Sequence, residues 1–565
     1  MDSLTSHIGQ GTIIEKFSGE RDGAMKTIYT GGAVFTGKLP LCEAFSVENG
    51  RFVEAGSNEQ LLTTRQEEDT VIDLRGSFVC AGFNDSHMHL LNYGYSMECC
   101  DLSVHTGSLA ELQDGMRAFM AARDFPDGAW VMGRGWNQDY FAGAHEIPTR
   151  YDLDRISADR PVCIVRCCGH CMVINSKALE LMGLRGDEEQ PEGGHFDLDE
   201  RGVPNGIFRD NAMTWVYRHI PQPNRGDVKR MIRRAVRELN RCGITSVQSD
   251  DLIVFRSLGY EEVIAAYKEL EQEGALTVRV YEQSHFSSLP ELKGFMEKGY
   301  KTGVGDALFK IGPLKLMSDG SLGARTAFLR EDYADAPGER GLSVFSQETL
   351  DELVSYAHQE GMQIAIHSIG DGSLDQVLTA YERAFAACPR EDHRSGVVHV
   401  QITHPQQLDK MRDLSLLAYI QSIFLDYDIH IVSARVGEKL ASTSYAFHSM
   451  KERGIPTSNG TDCPVERPDP MRGIQCAVTR CTLCDQLGPY CPQEAMSVEE
   501  ALQSYTSAGA YASFEEKVKG QIAPGMLADF VILGGNPFDT PADRLGEIKA
   551  LATYLGGECV FRAGK

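Results

Sequence analysis

Short apolar runs alternate with amphipathic helical patterns through most of the chain. Runs such as GITSVQSDD, LFKIGPLKLMSDGS and MQIAIHSIGD are each the length of one strand, and most end in polar residues. Segments such as DVKRMIRRAVRELNRC and SQETLDELVSYAHQEG lie between them and show helical spacing of apolar positions. Because parallel strands need crossover connections, this alternation predicts an α/β protein with a parallel sheet.

The number of strand–helix units, roughly eight, fits a (β/α)8 barrel of TIM type with an insertion. A doubly wound open sheet is the alternative, but no G-x-G-x-x-G follows a first strand. Polar residues follow strand after strand, and only a closed barrel brings such distant strand ends to one site. The pattern therefore favours the barrel, with a functional site at the C-terminal ends of its strands.

The two ends of the chain show short strands separated by glycine-rich turns. AFSVENGRFVEAGS carries an Asn-Gly hairpin signal, and GQIAPGMLADFVILGGNPF near the other end has a similar pattern. This predicts one small β-sandwich domain formed from both termini. The predicted organisation is a polar extension over 1–24, a composite β-sandwich over 25–81 and 518–565, and a barrel over 82–517 with an inserted α/β subdomain over about 95–225.

Composition and charge narrow the function class. The 565 residues are 42% hydrophobic and 24% charged, as in a soluble globular protein. The formal net charge of -25 disfavours a nucleic-acid or anionic-membrane partner, either of which needs a basic face. No run is long enough to span a bilayer, and the N-terminus lacks the features of a signal peptide. We therefore expect a cytoplasmic protein, with a homodimer as the default assembly.

The 16 cysteines include two C-x-x-C pairs, Cys168/Cys171 and Cys481/Cys484. Either pair could contribute to a structural zinc site, but such a site needs a second, well-spaced pair, and none is matched to them. Reduced, partly buried thiols are the preferred interpretation.

The segment GFNDSHMHLL places His87 and His89 at the end of an apolar run. On an extended strand, side chains at i and i+2 point to the same side, so both imidazoles would face one point. Two converging imidazoles suit a divalent metal, although a pair of histidines in a polar loop is the alternative.

Four further residues occupy equivalent positions, in or just after strand-like runs: Lys315, His367, His399 and Asp462. Each one alone has a structural explanation, such as a snorkelling lysine or an aspartate that caps a turn. Their recurrence on successive strands of one predicted barrel favours a metal site.

This order of residues resembles the amidohydrolase superfamily, and more specifically the YtcJ-like (amidohydrolase 3) family, which includes N-substituted formamide deformylases. Two departures concern neighbours of the proposed ligands. Val398-His399-Val400-Gln401 stands where the family usually has Glu-His-Ala-Gln, and Thr461 stands where Ser is common. The resemblance spans nearly the whole chain through the phrases AGFNDSHMHL, GWNQ, GHCMVINSKAL, KLMSDGSLGARTA, HSIGDGSLD, HVQ, GTDCPV, ALQSYTSAGA and GQIAPGMLADFVIL.

The resemblance implies two divalent metal ions per chain, zinc by preference, with manganese, iron, cobalt or nickel also compatible with imidazole and carboxylate ligands. An unmodified lysine is a poor ligand because its ammonium has no lone pair, and without carboxylation the site would be mononuclear. The implied ligands are His87, His89 and Asp462 for one ion, His367 and His399 for the other, and carboxylated Lys315 as the bridge between them.

The implied activity is hydrolysis of a carbon–nitrogen bond in an amide, formamide or cyclic amide by a metal-activated hydroxide. Asp462 would accept the proton of the attacking water and return it to the leaving amine, and His399 or His367 would help to stabilise the oxyanion.

Four residues are predicted to contact this small-molecule substrate. Asp319 and Arg325 follow the lysine strand and should line the mouth of the pocket, with a helix cap and a surface salt bridge as the alternatives. Trp136 and His170 lie in the stretch that resembles the family's inserted subdomain. Trp136 could stack on an apolar part of the substrate, or it could be a core residue.

Three other functions remain open from the sequence. A mononuclear deaminase-like hydrolase of the same superfamily is disfavoured because Lys315 is present and the expected glutamate is not found. A catalytically inactive binding protein on the same barrel would typically have lost some of the ligands. A thiol redox protein built on the cysteine pairs is the least favoured of the three.

Overall fold

The computed structural model describes residues 26–142, 145–167, 171–191, 194–255 and 257–564, so the predicted extension over 1–24 lies outside the described residues. The strands, numbered in chain order, are β1 (Thr27–Thr30), β2 (Ala33–Phe35), β3 (Ala44–Glu48), β4 (Arg51–Gly56), β5 (Thr70–Asp73), β6 (Phe78–Ala81), β7 (Phe83–Met88), β8 (Cys99–Asp101), β9 (Val131–Trp136), β10 (Val162–Arg166), β11 (Cys171–Ile174), β12 (Gly194–Leu198), β13 (Pro204–Asp210), β14 (Ile244–Ser249), β15 (Arg279–His285), β16 (Phe309–Met317), β17 (Ile364–Ser368), β18 (Gly396–His399), β19 (Leu417–Ile420), β20 (Thr457–Asn459), β21 (Phe530–Leu533), β22 (Ala550–Leu555) and β23 (Glu558–Arg562).

The helices connect these strands and cover the barrel. They are α1 (Asn58–Thr63), α2 (Leu90–Ser96), α3 (Leu109–Ala121), α4 (Arg150–Leu153), α5 (Ser176–Met182), α6 (Met213–Tyr217), α7 (Arg225–Arg241), α8 (Tyr260–Gln272), α9 (Leu289–Glu297), α10 (Gln347–Gln359), α11 (Asp371–Ala387), α12 (Pro405–Asp413), α13 (Leu425–Asp428), α14 (Val432–Ala441), α15 (Phe447–Glu452), α16 (Pro470–Thr479), α17 (Val498–Ser504) and α18 (Ser507–Ala512). Within the described ranges, no helix has the length and apolar character needed to cross a membrane.

Eight parallel strands form the central barrel in the order β7, β14, β15, β16, β17, β18, β19 and β20. All six residues of β7 are buried, as expected for a parallel strand that is covered on both faces. The first and last strands adjoin where the amide of Asp462 donates to the carbonyl of His87 at 2.8 Å. The predicted fold class is confirmed, and the open doubly wound alternative is wrong.

Two additional regions lie outside the barrel. Between β7 and β14, a sheet with the order β12-β13-β11-β10-β9-β8 forms the insertion. At the chain ends, the sheet β4-β3-β1-β5 packs against the sheet β2-β6-β21-β22-β23. Their shared core includes Tyr29, Phe45, Phe530 and Tyr554, and the ring centroids of Phe530 and Tyr554 are 4.3 Å apart. The exact domain boundaries stay a prediction.

A buried ion pair joins the barrel to the sheets at the chain ends. Arg279, the first residue of β15, contacts Asp529, which directly precedes β21, at 2.6 and 3.0 Å. The same carboxylate accepts from the amide of Gly556 in the turn after β22. The pair therefore fixes the base of the barrel against strands from the far end of the chain.

We expect Asp529→Ala to lower the free energy of unfolding by about 3–5 kcal/mol, because it leaves the buried guanidinium of Arg279 without its carboxylate. Denaturant unfolding measures the change. The control is Glu547→Ala, which breaks the exposed pair with Arg544 and should leave stability unchanged. Equal stability of both variants and the wild type would contradict the role of the pair.

Candidate metal centre

The first two predicted ligands lie at the end of β7. His87 belongs to the strand, and His89 is the N-cap residue of α2, one position beyond the strand end. The Nε2 atoms of His87 and His89 lie 3.5 and 3.1 Å from Oδ1 of Asp462, which follows β20. These three side chains form a group whose ligand atoms all lie within 4.8 Å of one another.

The hydrogen bonds of the two imidazoles determine which nitrogens can bind a metal. Nδ1 of His87 contacts Oε1 of Gln283 at 2.8 Å, and Nδ1 of His89 contacts the carbonyl oxygen of Asp250 at 3.2 Å. Both partners are acceptors, so each Nδ1 donates its proton and each Nε2 keeps a lone pair. Such outer partners commonly orient the histidine ligands of metal ions.

Oδ1 of Asp462 is buried and receives no hydrogen bond within the described chain. A buried carboxylate oxygen without a partner is costly unless a cation binds it. Burial opposes the ionisation of His89, but the nearby carboxylate of Asp462 outweighs it and raises the pKa of His89 to about 9. His89 therefore favours its charged form beside Asp462, and loss of its Nε2 proton would leave two imidazole lone pairs and a carboxylate oxygen, a donor set that suits a divalent cation.

The remaining predicted ligands lie on the next strands of the barrel. The ring centroids of His367 on β17 and His399 on β18 are 4.4 Å apart, and the His399 ring lies 5.5 Å from that of His87. Nε2 of His367 donates to the carbonyl of Gly320 at 3.1 Å, and Nδ1 of His399 donates to Oε1 of Gln421 at 2.6 Å. Each ring therefore retains one nitrogen with a free lone pair.

The backbone at two strand ends is in the left-handed region. The φ angles are 78° at His399, 50° at Val400 and 56° at Asp462. This region is unfavourable for a β-branched residue such as Val400, and strain of this kind often accumulates at functional sites. These angles bend the backbone at the end of β18 and, at Asp462, three residues beyond the end of β20.

Lys315 on β16 is fully buried, and its Nζ lies 3.4 Å from Sδ of Met317. Burial lowers the pKa of Lys315, although the carboxylates of Asp250 and Asp462 oppose the shift. Burial also lowers the pKa of His87 and that of His399, and the charge of Lys315 contributes to both shifts. Burial therefore shifts Lys315, His87 and His399 towards their neutral forms, which have lone pairs, whereas Asp462 shifts His89 towards its charged form.

The two predicted substrate contacts that follow β16 both have partners within the protein. Asp319 is buried and accepts from the amides of Phe328, Ile369 and Gly370, while its Oδ1 lies 3.3 Å from Nε2 of His367. Arg325 forms an ion pair with Asp335.

Trp136 has no exposed surface and belongs to the core of the inserted sheet, because its large apolar ring packs there. His170 lies outside the described residues. Substrate contact by these residues stays a prediction.

Sequence reasoning missed the residues that hold the ligands in place. Asp250 and Gln421 directly follow strands, Gln283 lies within β15, and each accepts a hydrogen bond from the imidazole of a predicted ligand, as described above. The signal for Asp250 was present, because the run GITSVQSDD ends in polar residues like the strands that carry ligands. Gln283 and Gln421 had no comparable signal, since an uncharged residue in or after a strand does not by itself indicate a functional site.

Apart from Cys171, the described cysteines are free thiols, and no described cysteine belongs to a group of three or more potential ligands within the described ranges. This agrees with reduced thiols rather than a structural zinc site, although Cys168 lies outside the described residues.

Comparisons with known proteins place these features in a family. The sequence profile of the amidohydrolase family matches residues 70–561. YtcJ of Bacillus subtilis (strain 168) is 31% identical over 95% of this chain and 99% of its own length. The N-substituted formamide deformylase of Arthrobacter pascens is 24% identical over 91% of this chain and 94% of its own. The crystal structure of an uncharacterized metal-dependent hydrolase from Pyrococcus furiosus, 29% identical, aligns with a TM-score of 0.74 over 91% of this chain and 100% of that one.

We expect Gln283→Leu to weaken metal binding by about 10–100-fold, because it removes the acceptor that orients His87 while nearly preserving volume. Competition with a chelator of known affinity measures the change. The control is Gln475→Leu on α16, where the lost contact is to the amide of Gly546 and not to a ligand. Equal metal affinity in both variants would contradict the orienting role.

Proposed function

The chain belongs to the amidohydrolase family, and from that premise we propose that it is a metal-dependent hydrolase of carbon–nitrogen bonds in amides, formamides or cyclic amides. One observation carries the proposal. The Nε2 atoms of His87 and His89 lie close to Oδ1 of Asp462, and this buried oxygen accepts no hydrogen bond within the described chain. The similarity to a protein named N-substituted formamide deformylase supports a formamide within this substrate class.

Two divalent ions, zinc by preference, would fit the donor set. When bound, such an ion lowers the pKa of a water ligand towards neutrality and polarises a carbonyl oxygen. The residues proposed to hold the pair are His87, His89 and Asp462 for one ion, His367 and His399 for the other, and Lys315 as a bridge.

Lys315 can bridge two ions only after its amine has become a carboxylate. In that reaction the unprotonated amine forms a bond to the carbon of carbon dioxide and loses one proton, which leaves an anionic carbamate. The lowered pKa of Lys315 supports this step because it increases the unprotonated fraction of the amine. The burial of the side chain would protect the carbamate from solvent.

The protein's own groups would manage the proton transfers. Asp462 is proposed to accept the proton of the attacking water on the carboxylate oxygen that does not face the two imidazoles, and to deliver it to the leaving nitrogen. His399 is fixed by Gln421 and stacks on Phe424, with 5.8 Å between their ring centroids. The fixed ring would keep its free nitrogen in position for the ion that it is proposed to hold, without having to reorient.

We expect about two metal ions per chain in wild-type protein prepared with bicarbonate, and one or fewer in Lys315→Ala, because the bridge is lost. Elemental mass spectrometry of purified protein measures the content. Lys310→Ala is the matched control, since Lys310 lies on the same strand but pairs with Glu515. One ion per chain in all three proteins would favour a mononuclear site, and metal-free protein would contradict the proposal.

For Asp462→Asn we expect a fall in hydrolysis rate of about 10²–10⁴-fold per bound metal, because an amide cannot accept the proton. A panel of formamides and N-acyl amines, assayed under saturating metal, supplies the substrate. Asp543→Asn, in the short 3-10 helix before β22, is the control. If the metal-loaded Asp462 variant keeps the wild-type rate, Asp462 is not the proton acceptor.

A further inference from the structure

A cavity of about 190 Å³ lies beside the candidate metal centre on the side of β17 to β20. We call it the acceptor pocket, and its defining residues are Gln401, Phe424, Tyr427, Asp428, Val465 and Glu466. Two contacts and one close sequence spacing link it to the centre. Phe424 stacks on the ring of His399, Gln401 follows His399 by two positions, and the amide of Val465 donates to the carbonyl of Asp462 at 2.8 Å.

The inner wall of the pocket presents hydrogen-bond acceptors. Gln401 is 3% exposed, and its Nε2 donates to Oδ2 of Asp428 at 3.0 Å. The hydroxyl of Tyr445 donates to the same carboxylate oxygen at 2.6 Å. Because these bonds fix the orientation of the amide, Oε1 of Gln401 remains buried without a partner in the described chain. The wall therefore has an acceptor that a ligand could satisfy.

Glu466 adds a second unsatisfied acceptor. Its side chain is half-buried, and no hydrogen bond or ion pair from the described residues reaches its carboxylate. Burial and the nearby carboxylate of Asp426 raise the pKa of Glu466, despite the opposing charges of Arg472 and Arg467. Arg472 itself contacts Asp426, and Arg467 acts on Glu466 only through its charge, since no ion pair joins the two within the described residues.

One cation that contacts the cavity wall already has a carboxylate partner. Arg435 donates to the carbonyl of Gly323, a residue of the cavity wall, but it forms an ion pair with Asp335. The remaining walls are apolar or aromatic, and Tyr427 and Val465 are 59% and 65% exposed. The pocket thus combines aromatic faces with carboxylate and amide acceptors.

We propose that the acceptor pocket binds a protonated amine on the substrate, so that the preferred substrates are amides or formamides whose apolar substituent carries a cationic nitrogen. The cation would donate to Glu466 and to Oε1 of Gln401, and it would lie against the rings of Phe424 and Tyr427. A carboxylate in the same place would meet the carboxylates of Asp428 and Glu466 and would be repelled. This inference rests on the proposed hydrolase function and specifies its substrate class.

The first test compares formamides of diaminoalkanes of increasing chain length with N-alkylformamides of equal length. We expect kcat/KM to favour the amine-bearing series by about tenfold or more in the wild type. Glu466→Gln, which keeps the size of the side chain, should remove most of that preference, and Val465→Lys should reverse it by placing a cation at the rim. Glu360→Gln at the exposed end of α10 is the control and should keep the wild-type ratio.

A binding measurement separates this inference from the proposed function. Calorimetric titration of metal-loaded protein uses an alkylammonium, the corresponding alcohol and the corresponding carboxylate as probes. Selective binding of the ammonium that is lost in Glu466→Gln but kept in Glu360→Gln supports the pocket, even if no formamide is hydrolysed. Hydrolysis with equal rates for both series, or equal binding of the three probes, would overturn the pocket while leaving the hydrolase proposal intact.

Discussion

Closure of the barrel between its first and last strands is the constraint on which the candidate site depends. The amide of Asp462 donates to the carbonyl of His87, and the amide of Thr461 donates to the buried carboxylate of Asp85 at 3.0 Å. A Cβ atom at Gly460 would lie 2.5 Å from the amide nitrogen of His87, so only glycine permits this approach. His87 and Asp462, which are separated by most of the chain, thereby become neighbours, and their side chains converge on one site.

The electrostatic character of the centre follows from this closure. The barrel removes the ligands from water, and burial then favours the neutral forms of His87, His399 and Lys315. Acceptors behind the imidazoles hold their Nδ1 atoms, and Asp462 contributes a carboxylate beside both Nε2 atoms. The same principle extends to the acceptor pocket, where Glu466 is a second uncompensated carboxylate. Both features underlie the two proposals that the protein binds metal ions at the centre and a cationic group in the acceptor pocket.

Local patterns predicted the strands, the helices and the candidate ligands, because each of these leaves a signal within a few residues of sequence. The spacing of His87 and His89 at a strand end, and the position of Lys315 within a strand, are of this kind. Trp136 shows the limit of such signals, since an aromatic residue near a proposed site can equally belong to a core, and here it does. Gln283 could not be predicted as the partner of His87, because nothing in its own segment indicates which residue lies opposite.

The sequence by itself determined the strand–helix alternation, the order of the ligand-bearing strands and the family resemblance, because periodicity and spacing are properties of neighbouring residues. Only the tertiary structure decided which atoms meet. The pairing of Asp250 with His89, the unpaired oxygen of Asp462 and the isolation of Glu466 each depend on contacts between distant segments. Such contacts depend on how the barrel closes and how its helices pack, and no short segment of the chain encodes either one.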